Sequence, residues 1–228
     1  MLSPACNRRC LKPWRILVLL SLWISTGQAA IIISQPDSAY LASTSLVTFS
    51  DPDEALLSQI AHGAQTISFS VLMRASTVGD NWASWGNPPD TESATPRVLW
   101  SGLDDNFDPV TTAILTLSQP VSIFGFEAEP GPTDTHTITA SFFMGGVLQG
   151  TVTRDVNGNA GARLFAVAAD PGTFFDSLII TSDADWAAGQ FRYALSGPAT
   201  GAPEPASTAL VAAGIALLLT LSQRPRRT

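Results

Sequence analysis

Lysine is missing from residues 31–202. Five arginines there face eighteen acidic residues, a net charge of −13. A domain so acidic repels phosphate backbones and anionic lipid headgroups, which excludes nucleic-acid binding. Cysteine is nearly as scarce: Cys6 and Cys10 are the only two, both close to the N-terminus. The rest of the chain therefore holds no disulfide, no thiol nucleophile and no cysteine metal site. His62 and His136 are the only histidines, and neither has a metal-ligating neighbour at zinc spacing. There is no Gly-x-Ser-x-Gly elbow, no phosphate-binding glycine loop followed by Lys, and no EF-hand loop.

What the middle lacks in apolar runs and positive charge, the two ends supply. Arg8, Arg9, Lys12 and Arg15 precede an apolar run at residues 16–24, and residues 25–30 are small or polar. A basic region, a nine-residue apolar region and a small-residue region predict a secretory signal peptide over residues 1–30. Cleavage after Ala29 and after Ala30 both fit, and Cys6 lies ahead of the apolar run, so it is no lipidation cysteine. At the other end, residues 206–222 are uncharged and mostly apolar, followed by Arg224, Arg226 and Arg227. As a helix these seventeen residues cover roughly 25 Å, near the lower limit for a bilayer core. Pro205 marks its start, since proline is excluded from a helix interior. The alternative, a buried core helix, rarely combines an uncharged circumference with an arginine stub. Both basic clusters then flank their apolar segments on the cytoplasmic side, with the acidic domain outside.

Residues 31–196 are expected to form one ectodomain, and residues 197–202 a short linker stiffened by Pro198. The tail combines Pro203-Glu204-Pro205, an apolar run at residues 209–221 and Arg224-Pro225-Arg226-Arg227. This combination resembles the PEP-CTERM sorting signal of Gram-negative bacteria that make extracellular polysaccharide. The resemblance covers about a tenth of the chain, residues 203–228. It implies a membrane-embedded exosortase as partner, an inner-membrane anchored precursor, and removal of the tail near Pro203, Glu204 and Pro205. Delivery to the cell surface, extracellular matrix or biofilm would follow. The domain also resembles ectodomains found ahead of such tails. The stretches that carry this are Asn81-Trp82-Ala83-Ser84-Trp85, residues 124–130, residues 156–165 and Gly189-Gln190-Phe191-Arg192-Tyr193. That resemblance implies a fold and no activity.

The ectodomain reads as about ten short strands separated by Gly, Pro, Asn and Asp. Residues 66–74 alternate, with Ile67, Phe69, Val71 and Met73 on one face. Residues 113–117 end at Pro120, and a further strand over residues 121–129 puts Phe124, Phe126 and Ala128 on one face. Residues 136–144, Gly145-Gly146 and residues 147–156 predict a hairpin. Residues 162–168, 174–182 and 190–195 complete the set. The expected fold class is all-β, an antiparallel β-sandwich of jelly-roll type. One helix is expected after Asp51-Pro52-Asp53-Glu54, with Leu56, Leu57 and Ile60 inward and Gly63 at its end. Residues 77–96 read as a long polar loop.

Three groups of residues could carry chemistry. Trp82 and Trp85 lie on that loop beside Asn81 and Asn87, as rings that stack on sugars do; the alternative is that they roof the core. Glu127 and Glu129 project from the same strand face, opposite Phe126 and Ala128. They could be a glycosidase pair, ligands for Ca2+, or a solvated face paired with Arg163 and Arg192. Asp183 and Asp185, and Asp104, Asp105 and Asp108, are turn carboxylates that could ligate Ca2+ or simply serve their turns. The expected function is non-catalytic: adhesion, matrix building and contact with extracellular polysaccharide. The alternatives are a glycan hydrolase or lyase, marked by Glu127 or Glu129 in a cleft, and a periplasmic domain on a plain C-terminal anchor.

Overall fold

Alternating β-branched and aromatic residues bounded by turn residues favour strands that bury one face. The computed structural model describes residues 30–102 and 108–196, and in them this pattern yields an all-β, antiparallel fold. In order come β1 (Ile31–Ile33), helix α1 (Ser38–Ser43), β2 (Ser45–Leu46), β3 (Leu56–His62), β4 (Gln65–Thr77) and β5 (Arg97–Trp100). Then follow β6 (Thr112–Pro130), β7 (Thr135–Met144), β8 (Val147–Asn157), β9 (Arg163–Ala168), β10 (Phe175–Ser182) and β11 (Trp186–Leu195). The expected signal peptide, spanning segment and sorting residues lie outside the described residues. Among the described residues no helix is long and apolar enough to cross a membrane.

β6 organises the sheet. Up to Leu117 it pairs with β4 on one side and β10 on the other, and β10 leads on to β7 and β8. From Val121 onward it pairs with β11 and β9. The sequence suggests two strands broken at Pro120, but there is one. No register pair falls on residues 118–120, so the missing proline N–H breaks no ladder bond. Side chains serve that stretch instead: Thr66 N donates to Ser118 Oγ at 2.8 Å and Gln119 N to Gln65 Oε1 at 3.2 Å. β5 pairs with both β4 and β11, so β4, β5, β11 and β6 form a closed hydrogen-bonded circuit.

The core lies between the two halves of the sheet. Phe126 stacks on Phe165 and Phe191 with centroids 5.6 and 6.0 Å apart, and Phe69 meets Phe191 at 6.3 Å. Ile138, Ala140 and Phe142 of β7 and Val152 and Val156 of β8 belong to the same buried cluster. Each such large side chain contributes about 1.5–3 kcal/mol by leaving water. Gly145 and Gly146 turn β7 into β8 with φ of 56° and 79°, as a two-residue hairpin turn requires.

The expected helix after Asp51 does not form. Glu54 sits at φ 68°, and residues 56–62 instead form β3, joined to β4 through Gly63. The same residues that look like a helix cap serve longer-range partners. Asp53 pairs with Arg97 at 3.1 Å and accepts from Thr77 Oγ1 at 2.9 Å, while Glu54 pairs with Arg74. Pairing with β4 outweighs a local propensity worth only tenths of a kcal/mol per residue. The helix that does form, α1, is capped by Asp37, whose Oδ1 accepts from Tyr40 N at 2.8 Å.

A bulge in β11 sets up the far face. Gly189 opposes Glu127 and Arg192 opposes Gly125, so Gln190 and Phe191 together oppose Phe126, with Gln190 at φ 50°. Phe191 thereby enters the core while Gly189 and Arg192 share the face that carries Glu127.

Candidate functional site

That second face of β6 is built of small residues around two carboxylates. Glu127 and Glu129 are flanked in register by Gly189 and Ala187 on β11 and by Leu164 on β9. The low relief lets residues 78–96 lie flat on the sheet. A Cβ on Gly189 would stand 2.9 Å from Arg97 O and 3.7 Å from the Trp85 ring, so the close approach needs a glycine. Trp85 is 2 % exposed and donates Nε1 to Glu127 Oε2 at 2.9 Å, and Glu92 N donates to Glu127 Oε1. Glu129 accepts from Trp82 Nε1 at 3.4 Å, Ser84 Oγ at 3.2 Å and Gly161 N at 3.2 Å. Ser84 Oγ in turn accepts from Ala160 N at 2.9 Å. One buried carboxylate thus joins the loop to the turn before β9.

Neither glutamate forms a solvated face or an arginine pair. Both are buried, and the covering segment satisfies them with its own N–H and O–H groups. Arg192 instead clamps Glu92 at 2.7 and 2.6 Å, and Arg163 reaches Asp90 at 3.3 Å. Burial pushes the Glu127 carboxyl up to about 7, against the pull of Trp85, the Glu92 N–H and Arg192. Burial also raises Glu129, opposed by its donors from Gly161, Trp82 and Ser84. Neither carboxylate is in the lining of the cleft beside them.

The cleft opens where the covering segment begins. It holds about 500 Å3, and its lining includes Asn81, Trp82, Ser84, Trp100, Asn159 and Asp185. The Trp82 and Trp100 rings are 6.5 Å apart, inclined at 52°. Trp100 Nε1 donates to Asp185 Oδ2 at 2.7 Å, which fixes the ring and the carboxylate together. Gly158 in the wall is sterically required, since a Cβ there would fall 1.7 Å from Pro132 O, whereas one on Gly131 would meet only the Asp185 side chain, 2.4 Å from Oδ2. Half-buried indoles beside amide, hydroxyl and carboxylate groups can stack on an apolar ring face while bonding the polar rim of the same ligand.

Trp82 and Asp185 therefore share this cleft, whereas Trp85 is sealed beneath the loop, as a roof over the β6 face. Four of the seven carboxylates considered as Ca2+ ligands, Asp183, Asp185, Glu127 and Glu129, are engaged by other partners. Asp183 binds His136 Nδ1 at 3.0 Å, Asp185 holds Trp100, and Glu127 and Glu129 each hold the loop. Among the described residues no group of three or more His, Cys, Asp or Glu is placed to hold a metal ion. Asp104 and Asp105 lie outside the described residues. Sequence reading misses Trp100, whose strand β5 is short and directly follows the loop; its signal is a tryptophan closing the apolar run Val98-Leu99-Trp100.

No protein-family model matches the chain, and no curated protein does. Among solved structures, the enzymatically active domain of bacteriophage CBA120 tailspike protein 4 is 19% identical over 58% of this chain, with a TM-score of 0.30; this chain spans 19% of that one. The carbohydrate-binding module TmCBM61, solved with beta-1,4-galactotriose, is 13% identical over 58% of this chain and 89% of its own, at TM-score 0.33. CsCBM6-3 from Clostridium stercorarium, solved with cellobiose, is 11% identical over 53% and 87%, at 0.28. At such scores, the ligand of this chain rests on its own residues.

Proposed function

We propose that the protein is a secreted, non-catalytic glycan-binding protein that works at the cell surface or in the extracellular matrix. The observation that carries this reading is the open cleft holding Trp82, Trp100 and Asp185. A pyranose presents C–H faces to the indoles and hydroxyls to Asp185, Asn81 and Asn159. The carboxylates that a hydrolase would need, Glu127 and Glu129, are buried under residues 78–96 with their oxygens already engaged. Export, anchoring and exosortase processing at Pro203-Glu204-Pro205 complete the proposal, on the strength of the tail's resemblance to a sorting signal.

The test titrates purified full-length protein with oligosaccharides, followed by tryptophan emission and calorimetry. Saturable binding is expected, at least tenfold weaker in Trp82→Ala and in Trp100→Ala, or about 1.4 kcal/mol each. No new reducing ends should appear. Absence of binding to any glycan, or binding indifferent to both substitutions, would sink the reading.

A further inference from the structure

The lining of the cleft contains no cation, and the described arginines are all engaged elsewhere. Four of the five described arginines stand in ion pairs: Arg74 with Glu54, Arg97 with Asp53, Arg163 with Asp90 and Arg192 with Glu92. The fifth, Arg154, donates to the carbonyls of Leu164 and Ser34. Within the cleft stand two half-buried indoles and the Asp185 carboxylate, one of whose oxygens accepts from Trp100. Indole faces attract a cation through the ring quadrupole, and a carboxylate at their edge neutralises it. Trp100 already serves one cation in this way, the Arg74 guanidinium 5.4 Å from its centroid. That guanidinium is paired with Glu54, which offsets its repulsion of a second positive group. A sugar bearing carboxylate or sulfate would meet the opposite, a domain of strong negative charge whose described arginines are held by carboxylates or, for Arg154, by carbonyls away from the cleft lining.

Resting on the glycan reading above, we infer that the cleft selects a glycan carrying a protonated primary amine, an amino sugar without its acyl group, over neutral and acidic sugars. Asp185 receives the ammonium, and Trp82 and Trp100 flank it. The neighbouring Asp183 is held by His136, so Asp185 is the acidic group of this turn that faces the cleft.

The experiment compares glucosamine oligomers, N-acetylglucosamine oligomers of equal length and uronic-acid oligomers. Calorimetry is run on the full-length protein at about pH 6, well below the roughly 7.7 of an ordinary α-amino group. The glucosamine oligomer should bind about tenfold tighter than the acetylated one. That preference should shrink severalfold at about 1 M salt, where the screening length falls to roughly 3 Å. Asp185→Asn should also abolish it; asparagine keeps an oxygen for Trp100 Nε1, and near-UV circular dichroism checks that the cleft survives. Equal or tighter binding of the acetylated or acidic oligomer overturns the inference and leaves the glycan reading standing. So does a preference that persists in Asp185→Asn. Failure of every oligomer to bind overturns both.

Discussion

Trp85 Nε1 and Glu127 Oε2 lie 2.9 Å apart in a place water does not reach, and that contact fastens residues 78–96 to the sheet. A loop that composition makes polar is thereby a covering layer, exposed on its outside, whose inward residues Val78 and Trp85 form a small cluster with Val98, Ala162 and Ala187.

The burial that surrounds this contact outweighs it and makes stability depend on pH in an unusual direction. Glu127 titrates near 7 in the folded protein against an ordinary 4.5, so the folded state binds more protons than the unfolded one between those values. Stability is therefore greatest below about 4.5 as far as this group is concerned, and falls as pH rises through 7. The loss is on the order of 3 kcal/mol at most. Calorimetric melting at a series of pH values should show a declining melting temperature across this window, with the decline flattened in Glu127→Gln. A wild-type profile that is level or rises there would refute the linkage.

Glu129 does not line the cleft, yet it should matter to binding. Its removal in Glu129→Ala strands the donors of Trp82, Ser84 and Gly161, at about 1–3 kcal/mol for each buried group left unpaired. Because Trp82 and Ser84 line the cleft, glycan affinity should fall along with the near-UV signal of the indoles. Unchanged affinity with lowered stability would mean that the carboxylate serves only the fold.

Two glycine substitutions should separate sharply. Gly158→Ala drives a methyl group into Pro132 O and should destabilise the turn that walls the cleft by several kcal/mol. Gly145→Ala points into open space and costs only its positive φ, about 1 kcal/mol. Urea unfolding of the two variants measures the difference, and equal costs would contradict the geometry.

The tail is tested by intact mass. Protein recovered from its host in surface or secreted fractions should lack everything after about Pro203. Protein found only in membranes and still carrying residues 206–228 would leave a plain anchor in place of a sorting signal.

Much of the strand pattern was legible because period-two alternation depends only on which face is buried. β7, β8 and their glycine turn fall within a residue or so of expectation. The Asp51-Pro52-Asp53-Glu54 segment misled because its carboxylates have the chemistry of a cap but answer to Arg97 and Arg74, far away in sequence. Glu127 and Glu129 were legible as a pair on one face; their burial was not, since it depends on a loop folding back over Gly189 and Ala187. Trp82 and Asp185 were singled out separately, and only the fold puts Trp100 between them in one cleft.

The closed circuit of β4, β5, β11 and β6 bears on how such a protein survives crowding. A sheet invites strangers through unpaired edges, and a circuit has none to offer. The long outer strand β8 is partly stoppered, since Arg154 Nε spans to Leu164 O at 2.7 Å and Gln149 O receives Ala30 N at 3.5 Å. Packed densely among its own copies, the domain can be extended by strand addition only at the strands that pair on one side, β1, β2, β3 and β8, and never through the circuit itself.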